Sequence, residues 1–242
     1  MLFMVMHKLH VEVDKNAPVP KELVANMGKL INETIQAGRF HNGAGLLGSA
    51  YRVRVKFEGG EVKTQKGPYR GENELVVGLA MLKVKTMEEA VGWGTKLGRA
   101  LGDVEVEVGQ VTEPWDIGVA PKPSGELPLH VLLLDKATPA YEAGKSRAPE
   151  HEAKLRALHA EMKQAGVLLT AEELKPTSTG ARLHASKGKH TWTDGPFAES
   201  KELVSGFSII KVDSKQEAQA WAERYADILG DIEVDVRPVV ER

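Results

Sequence analysis

Shifting the sequence by 128 positions lays residues 66–108 on residues 194–236 without a gap, and 17 of the 43 positions are identical. A self-match of that length restricts the chain to folds that can be built twice. The shared residues include Gly67/Gly195, Pro68/Pro196, Glu74/Glu202, Gly78/Gly206, Trp93/Trp221 and Gly102-Asp103/Gly230-Asp231. Further toward each N-terminus the match thins but keeps the same shift, with Lys8/Lys136, Ala37-Gly38/Ala165-Gly166, Leu46/Leu174 and Arg54/Arg182. The expected organisation is two repeats, 1–112 and 129–242. Residues 113–128 join them, hold four of the 12 prolines with no apolar period, and read as a semi-rigid linker.

Each repeat reads β-α-β-β-β-α-β. Pro20 opens a helix whose Leu23, Met27, Leu30, Ile31 and Ile35 share one face, and Gly38 closes it. Tyr51, Val53, Val55 and Phe57 alternate with polar residues and turn at Gly59-Gly60, a hairpin signal. Thr86 with Glu89, and Ser214 with Glu217, form the same capping signature at the start of the second helix of each repeat. In the last strand Val104, Val106 and Val108 alternate with acids, as Ile232, Val234 and Val236 do with Glu233, Asp235 and Arg237, which predicts one face in water. This order is that of an α+β, ferredoxin-like unit with both helices on one face of an antiparallel sheet. The first strand, however, is apolar at every position from Leu2 to Met6 and from Val131 to Leu134, so both of its faces need cover. Two units laying their open sheet faces together, as an intrachain pseudo-twofold barrel, would supply it.

Composition removes several function classes. Thirty-two basic and 34 acidic residues leave a net charge of -2, without the basic surplus of a non-specific nucleic-acid binder or a polybasic membrane anchor. With no cysteine there is no thiolate nucleophile and no Cys-based metal or iron-sulfur site, a composition suited to a reducing cytoplasm. Leu2 to Met6 is too short for a signal-peptide core or a membrane span. His7 and His10 are three apart on a strand and point to opposite faces, so they make no chelating pair, and no metal site is expected. Phosphate loops, nucleophile elbows and dinucleotide fingerprints are absent from the sequence, so no cofactor is expected.

The run Asp194-Gly195-Pro196-Phe197-Ala198-Glu199-Ser200-Lys201-Glu202, followed by Gly206-Phe207, resembles the signature of the YCII-related (DGPF) family. Lys136-Ala137-Thr138 after the first strand and Ala165-Gly166-Val167-Leu168-Leu169 after the first helix of the second repeat strengthen the resemblance, which the first repeat carries in degenerate form as KGPYRGENE. It implies a dimeric α/β-barrel, here with both halves in one chain. It brings no established reaction, only a suspected small-molecule site with a His/Asp pair. An association of some members with sigma-factor-dependent transcription initiation gives a rival reading as a non-catalytic regulatory partner.

The candidate catalytic residues are Asp194, at the start of the Gly-Pro turn, and His151, near the start of a helix. Asp194 could equally cap its turn, and His151, like His159, could be a hydrogen-bonded core histidine in the register of Leu23 and Ile31. His190, Trp192 and Asp194 share a strand face, which would also suit the outside of a hairpin. Lys8 and Lys136, retained after the first strand of each repeat, are candidates for holding an anionic group. Glu199 and Lys201 complete the candidate binding set because the first repeat has Gly71 and Asn73 in their places. The resulting expectation is a monomer with an internal pseudo-dimer, open to further self-association. It would bind a small polar or anionic molecule in a barrel pocket and, where it catalyses, use acid/base chemistry without a cofactor.

Overall fold

Residues 1–9 and 19–241 are described by a computed structural model. His10 lies outside them. The first half runs β1 (Leu2–Leu9), α1 (Lys21–Gln36), β2 (Phe40–Gly45), β3 (Arg52–Glu58), β4 (Glu61–Lys66), β5 (Val76–Val84), α2 (Met87–Ala100) and β6 (Val106–Gln110). The same order returns as β7 (Leu129–Lys136), α4 (Pro149–Gln164), β8 (Leu168–Glu173), β9 (Ala181–Ser186), β10 (Lys189–Asp194), β11 (Leu203–Lys211), α5 (Lys215–Leu229) and β12 (Ile232–Pro238), with one added short helix, α3 (Pro139–Glu142), after β7. Both capping signatures form: the Glu89 amide donates to Thr86 Oγ1 and the Glu217 amide to Ser214 Oγ, each at 3.2 Å.

The strands pair across the two halves. One six-stranded antiparallel sheet has the order β10-β9-β12-β1-β11-β2 and the other β4-β3-β6-β7-β5-β8. The first strand, first helix and second strand of each half therefore belong to the sheet of the other half, so the expectation of one sheet per repeat is corrected. Helices α1 and α5 cover the first sheet, and α2 and α4 the second. The opposite faces meet in an apolar layer that includes Met4, Met6, Leu79, Leu132, Leu134, Phe207 and Ile209. Two isolated bridges, Leu46–Val111 and Leu174–Val239, tie the sheets together, but no continuous ladder among the described residues closes a barrel.

The first strands show what fills this layout. On β1, Phe3 and Val5 pack under the helices while Met4 and Met6 face the other sheet, so the strand is buried on both sides, as its unbroken apolar run predicts. The acids of the last strands overturn the expected wet face: Glu107 and Asp235 are only 1% and 2% exposed, because arginines and lysines of neighbouring strands meet them between the sheets. The two equivalent tryptophans also differ. Trp221 is buried, stacks on Tyr225 at 5.2 Å and donates through Nε1 to Thr34 Oγ1 at 2.9 Å. Trp93 is only half-buried, under the Lys96 ammonium at 4.5 Å. Trp221→Ala should therefore cost ~3–5 kcal/mol in denaturant unfolding, and Trp93→Ala clearly less.

Candidate functional site

Three groups of polar side chains gather around the central strands β1 and β7. Two lie between the sheets and repeat at the 128-residue shift. In the first, Lys8 Nζ meets Glu233 Oε1 at 2.8 Å and Asp235 Oδ2 at 2.7 Å, and Arg182 closes on Asp235 through Nε at 2.6 Å and Nη2 at 3.1 Å. Burial alone would raise the Asp235 carboxyl, but Lys8 and Arg182 hold it below the ordinary carboxylate range. In the second, Lys136 and Arg54 both contact the Glu74 carboxylate, while Arg52 Nη1 donates to Glu107 Oε1 at 2.9 Å and Tyr69 Oη to Glu107 Oε2 at 3.0 Å. Burial, with Arg54 and Arg52 beside it, pulls the Lys136 ammonium down, against the direct contact with Glu74.

These clusters explain the Gly-Pro-aromatic motif as scaffold. The Phe197 ring lies 4.3 Å beneath the Arg182 guanidinium, and Tyr69 lies 4.0 Å beneath that of Arg54. A Cβ at Gly195 or Gly67 would fall 1.8 or 1.7 Å from the carbonyl oxygen of Thr177 or Ser49, so only glycine lets the chain pass. The arginines also span the sheets: Arg52 Nη1 donates to the Val204 carbonyl at 2.8 Å and Arg237 Nη1 to that of Val76. Arg52 pairs across its ladder with Gly109, while a Cβ on Gly180 would meet the Arg237 side chain at 3.0 Å. The shift aligns Gly109 with Arg237 and Arg52 with Gly180, so the two halves place a similar guanidinium from opposite strands of the same pair.

The third group lies on the helix side of β7. Asp135 is 5% exposed and pairs with Gly78 of β5, whose missing side chain makes room for it; a Cβ there would be 2.6 Å from Asp135 Oδ1. Burial pushes the Asp135 carboxyl up to about 6, helped by Glu173 and opposed by Arg147. Arg147 Nη2 is 3.6 Å from Asp135 Oδ2, and its Nη1 is 2.9 Å from Glu173 Oε1 but makes no well-formed hydrogen bond. The Tyr141 hydroxyl of α3 donates to the Leu174 carbonyl at 2.6 Å and lies 3.1 Å from Glu173 Oε1, which fixes that end of the site. A cavity of about 20 Å3 lies among Asp135, Arg147, Glu173, His159 and Leu155, room for one water-sized group.

The other residues singled out from the sequence are scattered. Asp194 has an 80% exposed side chain at the end of β10 and accepts from Lys215 Nζ at 2.8 Å. His151 sits by the turn after α2, where a Cβ on Gly102 would lie 2.6 Å from its Cε1. The two thus stand over different sheets. His190 Nε2 is 2.8 Å from Asp227 Oδ1, Trp192 Nε1 donates to Glu223 Oε1 at 2.8 Å, and Glu199 pairs with Lys201 at 3.2 Å on the surface. Asp135 and Arg147 escaped the sequence reading. Their signal was one acid ending an apolar strand and one arginine before the helix.

No group of three or more His, Cys, Asp or Glu among the described residues is placed to hold a metal, and no described helix is long and apolar enough to cross a membrane. The family model of the YCII-related domain matches residues 129–239. An uncharacterized protein of Rhizobium meliloti (strain 1021) is 42% identical over 59 residues, 24% of this chain and 48% of the relative. The match spans about half the length of that relative. No solved structure matches.

Proposed function

Starting from the YCII-related domain in residues 129–239, we propose that the whole chain is a tandem of two such units, the first degenerate, and that it binds a small polar or anionic molecule at the Asp135–Arg147 cleft for cofactor-free acid/base chemistry. The carrying observation is a buried carboxyl held at about 6 beside an arginine at a water-sized cavity. A group titrating near neutrality can both take and give a proton under working conditions, and a guanidinium can hold a carboxylate or carbonyl oxygen next to it. Glu173 and Tyr141 orient the arginine side of the cleft.

The test is a panel of small carboxylic and keto acids followed by thermal shift and by the Asp135 carboxyl carbon signal. A binding member should move that signal. Asp135→Asn and Arg147→Met should each weaken its binding, read by thermal shift, by ~1.5–3 kcal/mol, the range for a hydrogen bond to a charged group, whereas Asp194→Asn should not. A panel that leaves the Asp135 signal unmoved throughout, or a ligand indifferent to both cleft variants, would refute the reading.

A further inference from the structure

We propose that a groove over the helix-covered face of the first sheet, between α1, α5 and residues 110–130, binds a neutral, mostly apolar small molecule through one hydroxyl or carbonyl group held by His7 and Tyr225. The groove encloses about 2050 Å3 with its mouth included. Its walls include Leu23 and Met27 of α1, Leu229 of α5, and Trp115 and Ile117 of the linker. His7 and Tyr225 also line it, with His7 Nδ1 2.6 Å from Tyr225 Oη.

The pair is fixed from behind. Tyr225 stacks on Trp221, which donates to Thr34 Oγ1, and that hydroxyl donates to the Leu30 carbonyl at 2.7 Å. Such a chain holds two polar groups in place before any ligand arrives, which lowers the ordering cost of binding. Both are neutral near pH 7: burial, then Arg52, holds the His7 imidazole at about 4, and burial raises the Tyr225 phenol. Of the charged side chains that line the groove, Lys8 is matched by Glu233 and Asp235 and Glu33 by Arg224, while Lys29 and Lys122 also line it. A charged ligand would lose hydration beside this neutral pair and gain no counter-charge from it, whereas a hydroxyl can accept from His7 Nε2 and donate to Tyr225 Oη, and a carbonyl can accept from His7 Nε2.

The equivalent place over the second sheet marks the contrast. Position 7 corresponds to Asp135, Val19 to Arg147, Met27 to Leu155 and Gly45 to Glu173 at the 128-residue shift. The Arg147 and Glu173 side chains thus stand where the His7 side has Val19 and Gly45, and about 20 Å3 is left beside Asp135. The two sites differ in chemistry, and this one stands whether or not Asp135 catalyses.

The probes are 1-naphthol, which has one hydroxyl on an apolar body, and 1-naphthoate, which has a charge in its place. Titration calorimetry at neutral pH should show 1-naphthol binding and the His7 ring signals moving with it. 1-Naphthoate should bind at least about tenfold more weakly. His7→Phe and Tyr225→Phe should each weaken 1-naphthol by about tenfold, the scale of one lost hydrogen bond. Leu23→Arg, on the half-buried outer wall, should block entry while leaving the unfolding midpoint near wild type, so the test survives a failure of His7→Phe to fold. Asp135→Asn should leave 1-naphthol binding unchanged, which separates this site from the Asp135 cleft. No binding of 1-naphthol, equal binding of 1-naphthoate, binding that survives Leu23→Arg, or binding lost in Asp135→Asn would each overturn the proposal.

Discussion

Residues 129–242 produced without residues 1–112 will not form a folded monomer. In the intact chain β11 lies between β1 and β2, β12 pairs with β1, and β7 pairs with β5 and β6. Removing the first half leaves these strands without those ladders and opens the inner layer around Leu132, Leu134, Phe207 and Ile209 to water. Each such side chain contributes ~1.5–3 kcal/mol when buried. Losing four of them, with their ladders, takes a domain of ordinary stability, ~5–15 kcal/mol, to the edge of unfolding or past it. The linker 113–128 adds no strand to either sheet, so the two halves supplied as separate chains should reassemble. Self-pairing is the other escape: β7 could take the place of β1, bringing Lys136 where Lys8 meets Glu233 and Asp235. Sedimentation should therefore find residues 129–242 either unfolded or dimeric, and should find a folded one-to-one complex once residues 1–112 are added. A cooperatively unfolding monomer of residues 129–242 would show that the strand exchange is wrong.

Why the elements were legible and the exchange was not follows from what a pattern encodes. Alternation and caps record how much of each face is buried and where a helix starts, and both survive when a strand moves to an equivalent sheet. The apolar run at Leu2–Met6 demanded two covered faces, and it has them, yet nothing in it names the partner strand. The acids of the last strands misled for a related reason. Polar residues at every second position read as a solvent face, but here Glu107 meets Arg52 and Tyr69, and Asp235 meets Lys8 and Arg182, on the buried inner faces of the sheets. The readable hint was that Arg54 and Arg182 survive in both repeats, on strands that must lie beside those acids. At the sites the signal was thinner still: His7 and Asp135 are single polar residues on the helix-facing side of apolar strands. Only the structure sets them opposite Gly206 and Gly78, where a Cβ would collide with each ring or carboxyl.

That equivalence yields opposed pH dependences at one structural position. His7 is lowered from 6.5 to about 4 in the folded chain, so its stability contribution is complete above pH 6.5 and is lost as pH falls through that window. Asp135 is raised from 3.8 to about 6, so its contribution is complete below about pH 4 and is lost as pH rises through 6. At 1.36 kcal/mol per unit each group changes stability by ~3 kcal/mol at most, in opposite directions and over nearly the same interval. In the intact chain the two largely cancel. Single substitutions should separate them. Asp135→Asn removes the charged carboxylate's cost at pH 7 and gains nothing near pH 4, so its stability relative to wild type should be greatest at pH 7 and fall on acidification. His7→Phe removes a cost felt only in acid, so its relative stability should be least at pH 7 and rise toward pH 4. Urea unfolding of both variants and the wild type across this range gives two difference curves of opposite slope. Parallel curves would mean that the His7 imidazole and the buried Asp135 carboxyl do not titrate as their surroundings require.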